Sequence, residues 1–190
     1  MTSLGRITDI INKGGVCILP TETVYGIAAR ADDKNAIDRI YAIKGRDFDK
    51  PLAVCVADLE QAKDLAEFNN IALRLARKFW PGPLTLVLPA ARKILDPRCY
   101  QGDTIALRSP DIEWRERFTA PLALTSANRS GEAAAITAQS DLDVDAVLDM
   151  GPSRDKVPST ILLVKSGTIK CLRAGALKAE NLSEFDIDWP

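Results

Sequence analysis

Val16-Cys17-Ile18-Leu19-Pro20-Thr21-Glu22-Thr23-Val24-Tyr25-Gly26 is the stretch whose reading decides the fold. Its apolar run, Val16 to Leu19, ends at a proline and then at Thr21, Glu22 and Thr23. A short apolar run bounded by turn residues reads as a buried strand. Hydroxyls and a carboxylate just past the C-terminal end of a strand stand where open α/β sheets bind ligands. Threonines also satisfy nearby backbone groups in ordinary turns, so both readings stay open at this point.

Working outward, Leu4, Ile7, Ile10 and Ile11 recur at helical spacing, and Gly14-Gly15 is a natural stop. On the other side, Asp32-Asp33 caps a helix whose inner face is Ala36, Ile37, Ile40, Tyr41 and Lys44. Leu52 to Val56 reads as a second strand, and Asp58 with Gln61 as a capping box. Ile71, Leu75 and Phe79 mark another helix, ended by Trp80-Pro81-Gly82-Pro83. Strands are expected at Leu84 to Leu88, Ile105 to Arg108 and Leu122 to Leu124, with a loop from Ala90 to Asp103. Asp111 is the expected cap of a short helix from Trp114 to Phe118. Ile161 to Val164 and Ile169 to Leu172 form a hairpin around Ser166-Gly167. The tail from Ala176 holds a short helix at most. The polar stretch from Gly131 to Lys156 shows no period, and the loop near 131–158 is the candidate flap. Strands alternating with helices predict one α/β domain, residues 1–190, around a mixed sheet.

Composition narrows the function. The chain has 190 residues, 46% hydrophobic and 27% charged, with a net charge of −1. Nucleic-acid or nucleotide binding must therefore come from a local patch. No apolar run approaches the roughly 20 residues of a membrane span, and the N-terminus lacks the apolar core of a signal peptide. No membrane partner and a cytoplasmic location are expected. Cys17, Cys55, Cys99 and Cys171 are scattered without a CxxC pair, and there is no histidine. That removes zinc-type spacing, histidine-based triads and histidine-ligated metals. No metal site is expected.

The charged groups that remain are suggestive. Lys44, Arg46 and Lys50 cluster just past the second helix, where they could bind a triphosphate or could form a solvated turn. Asp47 and Asp49 weaken the field there. Neither GxxxxGK[ST] nor GxGxxG occurs, which excludes a P-loop and a dinucleotide fingerprint. Arg108 ends a strand before Ser109-Pro110 and is either paired with a carboxylate or aimed at a ligand. Ser126 and Asn128 have ordinary turn composition as well as ligand-binding groups. Trp80 to Pro83 reads as a rigid turn.

Taken together, PTETVYG at 20–26, KGR at 44–46, Lys50-Pro51-Leu52, PGPLT at 81–85, Ala106-Leu107-Arg108 with Pro110, SAN at 126–128, Pro158-Ser159-Thr160-Ile161 and Arg173-x-Gly175 resemble the YrdC-like threonylcarbamoyl-AMP synthase family. The likeness runs from about Ile11 to Gly175 and is to the short, single-domain form. It implies a twisted mixed sheet with flanking helices around a concave cationic cavity. It also implies synthesis of threonylcarbamoyl-AMP and pyrophosphate from L-threonine, bicarbonate and ATP, with Mg²⁺ accompanying the ATP. The product would serve tRNA threonylcarbamoyladenosine modification, with tRNA and the downstream transfer proteins as partners.

By this resemblance Thr23, Arg108 and Ser159 would hold L-threonine, Arg108 through its carboxylate, and Thr125 could lie on either side. Arg46, Lys50, Thr104, Ser126, Asn128 and Arg173 would hold ATP, with Lys44 supporting the triphosphate. Lys44 and Arg46 would act electrostatically, and Glu22 is the candidate for assisting deprotonation. Cys55 stands where the family commonly has a histidine against threonine, and Asp47 stands where it commonly has a proline. The alternative reading is a YrdC-like RNA-binding module without synthase activity.

Overall fold

The computed structural model describes residues 2–190. The opening apolar run forms strand β1 (Cys17–Leu19), and the chain returns beside it as antiparallel β2 (Gly26–Arg30), with Leu19 opposite Gly26. Helix α1 (Leu4–Asn12) precedes this pair, and α2 (Lys34–Lys44) follows it. Then come β3 (Ala53–Cys55), α3 (Leu59–Leu65), α4 (Asn70–Phe79), β4 (Leu84–Pro89), β5 (Tyr100–Gln101), β6 (Thr104–Arg108) and β7 (Leu122–Ser126). Strands β8 (Ala146–Val147), β9 (Thr160–Lys165) and β10 (Thr168–Arg173) complete the sheet.

The strand order is β10-β9-β4-β6-β3-β7-β2-β1-β8, with β5 added beside β6. The pairs β4/β9, β3/β6 and β1/β8 are parallel and the others antiparallel, so the sheet is mixed. Successive side chains on a strand point to opposite faces, and that alternation builds the site. Val54, Leu86, Leu107 and Leu162 enter the main core with the apolar faces of α2, α3 and α4. Their neighbours Ala53, Val87, Ala106 and Ile161 face the other way and line a cavity. At the β1–β7 end that second face is closed by a smaller core, in which Ile7 and Ile11 of α1 meet Leu19, Leu124, Trp114 and Phe118.

Helix ends follow the sequence closely. Asp33 caps α2 by accepting from the backbone N–H groups of Asn35 and Ala36, and Gly45 ends it with φ of 59°. Ala36, Ile37, Ile40, Tyr41 and Lys44 are its buried face, as the periodicity predicts. Asp58 caps α3 through the Gln61 N–H, but the Gln61 side chain accepts from the N–H of Ala57 rather than closing the box on Asp58.

Several expectations need correction. Strand β2 has no counterpart in the sequence reading. The stretch Ala90 to Asp103 is not all loop: it holds a 3-10 turn, Pro97–Cys99, and β5. Residues Glu113–Arg117 form a 3-10 helix with no side-chain cap, and Asp111 instead pairs with Arg154 at 3.1 Å.

The polar stretch after Gly131 is strapped to the sheet. Tyr25 donates its backbone N–H to Ala135 and its hydroxyl to the Gly151 carbonyl at 2.6 Å. Asp145 accepts from the Val16 N–H at 2.7 Å and pairs with Arg39. No helix among the described residues is long and apolar enough to cross a membrane. The four cysteines are buried and unpaired.

Candidate functional site

The face of the sheet turned away from α2–α4 carries a cavity of about 350 Å³. Its floor is apolar and small-chained, with Ala53, Ala106 and Val87 leaving room above the strands. Gly26 belongs to that wall for a steric reason: a Cβ there would lie 2.7 Å from Leu124 Cδ1. The charged lining residues are Arg46, Arg108 and Arg173, and no carboxylate is among the lining side chains. Arginines that converge on one acid-free cavity fit an anionic ligand, because each guanidinium offers a planar fork to carboxylate or phosphate oxygens.

Arg108 ends β6, opposite Cys55 of β3. It is only 6% exposed. Its Nε donates to the Gly82 carbonyl at 3.2 Å. The Trp80–Pro83 turn thus contacts the site through Arg108 rather than through the cavity wall, and Gly82 is required there, since a Cβ would lie 2.4 Å from the Phe79 carbonyl oxygen. Behind Arg108 stands Glu22, its Oε1 2.8 Å from Arg108 Nη2. Arg108 thus has a carboxylate partner and also lines the cavity.

Arg173 lies beside Ser159, donating to its carbonyl at 2.7 Å and to its hydroxyl at 3.1 Å. Burial of the guanidinium and the nearby charge of Arg108 hold Arg173 below the ordinary arginine value. The Ser159 hydroxyl also meets Thr85 Oγ1 at 2.8 Å. Thr85, the last residue of the PGPLT string, lines the cavity as well.

The cavity brings together Cys55, Arg108, Thr125, Ser159, Arg46, Thr104, Ser126 and Arg173 of the residues expected to bind substrate. Thr23 is fully buried, hydrogen-bonded at 2.8 Å to Thr21, which takes the wall position. Lys44 is 3% exposed and donates to the carbonyls of Ser126 and Asn128, so its charge lies behind the loop and outside the cavity lining. Burial first and Arg46 second push it down to about 8. Lys50 faces solvent beside Asp47. Asn128 turns its amide N–H groups to the Arg129 and Glu132 carbonyls. Arg46 lines the wall with one edge of its guanidinium committed, Nε donating to the Lys50 carbonyl at 3.0 Å and Nη2 to the Pro51 carbonyl at 2.9 Å. The Cys55 thiol, 5% exposed, is pushed up to about 12 by burial and stays protonated.

An apolar-floored, arginine-walled cavity on one face of a mixed α/β sheet is chemically suited to a small anionic ligand. The chain belongs to the Sua5/YciO/YrdC family, whose model, described as telomere recombination, matches residues 9–175. It is 39% identical to the threonylcarbamoyl-AMP synthase of Pyrococcus abyssi, over 92% of this chain and 54% of that protein. It is 36% identical to the threonylcarbamoyl-AMP synthase of Bacillus subtilis, over 94% of this chain and 55% of that protein. The chain thus spans about half the length of these two curated relatives. A putative threonylcarbamoyl-AMP synthase of Methanocaldococcus jannaschii, 36% identical, is covered over 86% of its length. Among solved structures, P. abyssi Sua5 complexed with L-threonine superposes with a TM-score of 0.90 at 35% identity, over 98% of this chain and 60% of that one. Escherichia coli YciO shares the fold, with a TM-score of 0.82 at 22% identity.

Proposed function

We propose that this chain makes threonylcarbamoyl-AMP and pyrophosphate from L-threonine, bicarbonate and ATP. The observation that carries the reading is the convergence of Arg46, Arg108 and Arg173 on one cavity whose lining holds no carboxylate. The L-threonine complex of P. abyssi Sua5, similar over 98% of this chain, supports an amino acid as one ligand.

In this reading Arg108 pairs with the threonine carboxylate, and Ser159, held by Thr85, offers its hydroxyl beside it. Thr125 and Cys55 bound the same end. Arg46, Thr104, Ser126 and Arg173 face the nucleotide. Lys44 adds charge from beneath the Ser126–Asn128 backbone, and Lys50 joins by leaving Asp47. The threonine amine attacks bicarbonate, giving a carbamate and water. A carbamate oxygen then attacks the α-phosphorus of ATP, and pyrophosphate leaves. The protein supplies orientation and charge: it holds the two substrates on adjoining walls and offsets the charge that builds on the leaving group. Among the described residues no cluster of His, Cys, Asp and Glu is placed to hold a metal. Magnesium in this reading arrives with ATP and is held by the triphosphate. The adenylate would be consumed by proteins that transfer its threonylcarbamoyl group to tRNA.

The test is to incubate the protein with ATP, bicarbonate and a panel of amino acids and to identify the products by mass. Pyrophosphate and a threonylcarbamoyl adenylate should form only when both L-threonine and bicarbonate are present. Equal pyrophosphate with serine, or without bicarbonate, refutes the assignment.

A further inference from the structure

Glu22 and Arg108 are 4% and 6% exposed, and Glu22 Oε1 lies 2.8 Å from Arg108 Nη2. The contact is close but poorly aligned: neither Glu22 oxygen nor Arg108 Nη2 makes a directed hydrogen bond. A buried ion pair recovers its desolvation cost only when its remaining lone pairs and N–H groups are satisfied. This pair is therefore a weak source of stability.

The surroundings fix both partners. Thr21 Oγ1 accepts from the N–H groups of Thr23 and Val24 at 3.2 Å and donates to the Val24 carbonyl at 2.7 Å, locking the turn around Glu22. The Glu22 carbonyl accepts from the Asp155 N–H at 2.8 Å. Arg108 is held at Nε by Gly82. Arg173, the neighbouring cation, repels Arg108, and Glu22 is the carboxylate paired with it. Arg108 lines the cavity while Glu22 does not, so Glu22 reaches a ligand only through Arg108.

We propose that Glu22 is a positioning residue that aims the Arg108 guanidinium at the carboxylate of the amino-acid substrate. This rests on the synthase reading, in which Arg108 takes that carboxylate. It gives Glu22 a role at the binding step, distinct from proton transfer.

The test is calorimetric titration of L-threonine, and separately of ATP, into the wild type, Glu22→Gln, Glu22→Asp, Arg108→Ala and the Glu22→Gln/Arg108→Ala double variant. Glu22→Gln keeps the shape and removes the charge, so threonine affinity should fall about tenfold or more, the scale of one charged hydrogen bond. ATP affinity should stay within about twofold, and Glu22→Gln should change threonine affinity by no more than about twofold once Arg108 is alanine. Glu22→Asp should fold and bind threonine with intermediate affinity. Unchanged or tighter threonine binding in folded Glu22→Gln overturns the proposal, as does an additive double variant. If Glu22→Gln does not fold, Glu22→Asp decides, and wild-type threonine affinity in it overturns the proposal. A wild type that binds no threonine defeats the synthase reading itself, which separates the two failures.

Discussion

Cys55 lines the cavity from one side, and on the other it borders a small void of about 10 Å³ shared with Trp114, Phe118 and Leu122. The void is too small for more than one water, so a larger side chain at this position has room only toward the cavity. A protonated thiol is a weak donor and acceptor, and the family resemblance places a histidine here. Cys55→His is expected to tighten L-threonine binding roughly two- to tenfold, the worth of one net hydrogen bond of about 0.5–1.5 kcal/mol. Measuring affinity and melting temperature together tests it. A lower melting temperature with no gain in affinity leaves Cys55 as packing, since overfilling a core costs about 1–3 kcal/mol. At this scale the sequence was legible where a motif named a residue, as with Arg108, Ser159 and Arg173. It was not legible where the chemistry depends on a partner far along the chain. Nothing near Glu22 announces Arg108, and nothing near Ser159 announces Thr85. Only the register of β4 beside β9 brings that last pair together.

At the scale of elements, α2 was readable almost to the residue because its inner face repeats at helical spacing and both ends carry caps. Strand β2 was not. Gly-Ile-Ala-Ala-Arg lacks both alternation and β-branched weight, and all but its last residue are buried, so it shows neither pattern of a half-exposed strand. The two-residue β8 is too short for any period, and its pairing with β1 is a tertiary event. The last residue of α2 gives an element-scale prediction. Lys44 ties the helix end to the loop after β7 by donating to two carbonyls, those of Ser126 and Asn128. A neutral amine still has two N–H bonds, so these contacts survive deprotonation. In the unfolded chain this lysine keeps its proton up to the usual 10.5, and in the fold only to about 8. Between those values the unfolded state binds more protons, and rising pH favours the fold. The Lys44 contribution to stability should therefore grow from about pH 8 upward, by on the order of 3 kcal/mol in full. Urea unfolding of the wild type and Lys44→Met across pH 7–10 measures the difference. If the gap between the two does not move toward the wild type as pH rises, Lys44 is not buried as a strained cation.

For the whole molecule, a net charge of −1 conceals a strong local asymmetry. Arg46 comes from the loop after α2, Arg108 from β6 and Arg173 from β10, and the fold brings all three to one cavity whose lining holds no carboxylate. Arg108 and Arg173 repel each other across this cavity, and the fall in the Arg173 value beside Arg108 is the local sign of it. An anion spanning these walls relieves that repulsion and ties together strands that are distant in sequence. Inorganic triphosphate should therefore raise the melting temperature, whereas adenosine, which carries no charge, should do so far less. At a hundredfold excess over its dissociation constant, a ligand bound only by the folded state adds about 2.7 kcal/mol. The triphosphate effect should shrink as salt is raised, because the cavity is open to solvent and partly screened. Arg46→Ala should diminish it while leaving the adenosine response unchanged. Equal stabilisation by adenosine and triphosphate, or a triphosphate effect indifferent to salt and to Arg46, means that the three arginines do not act as one anion site.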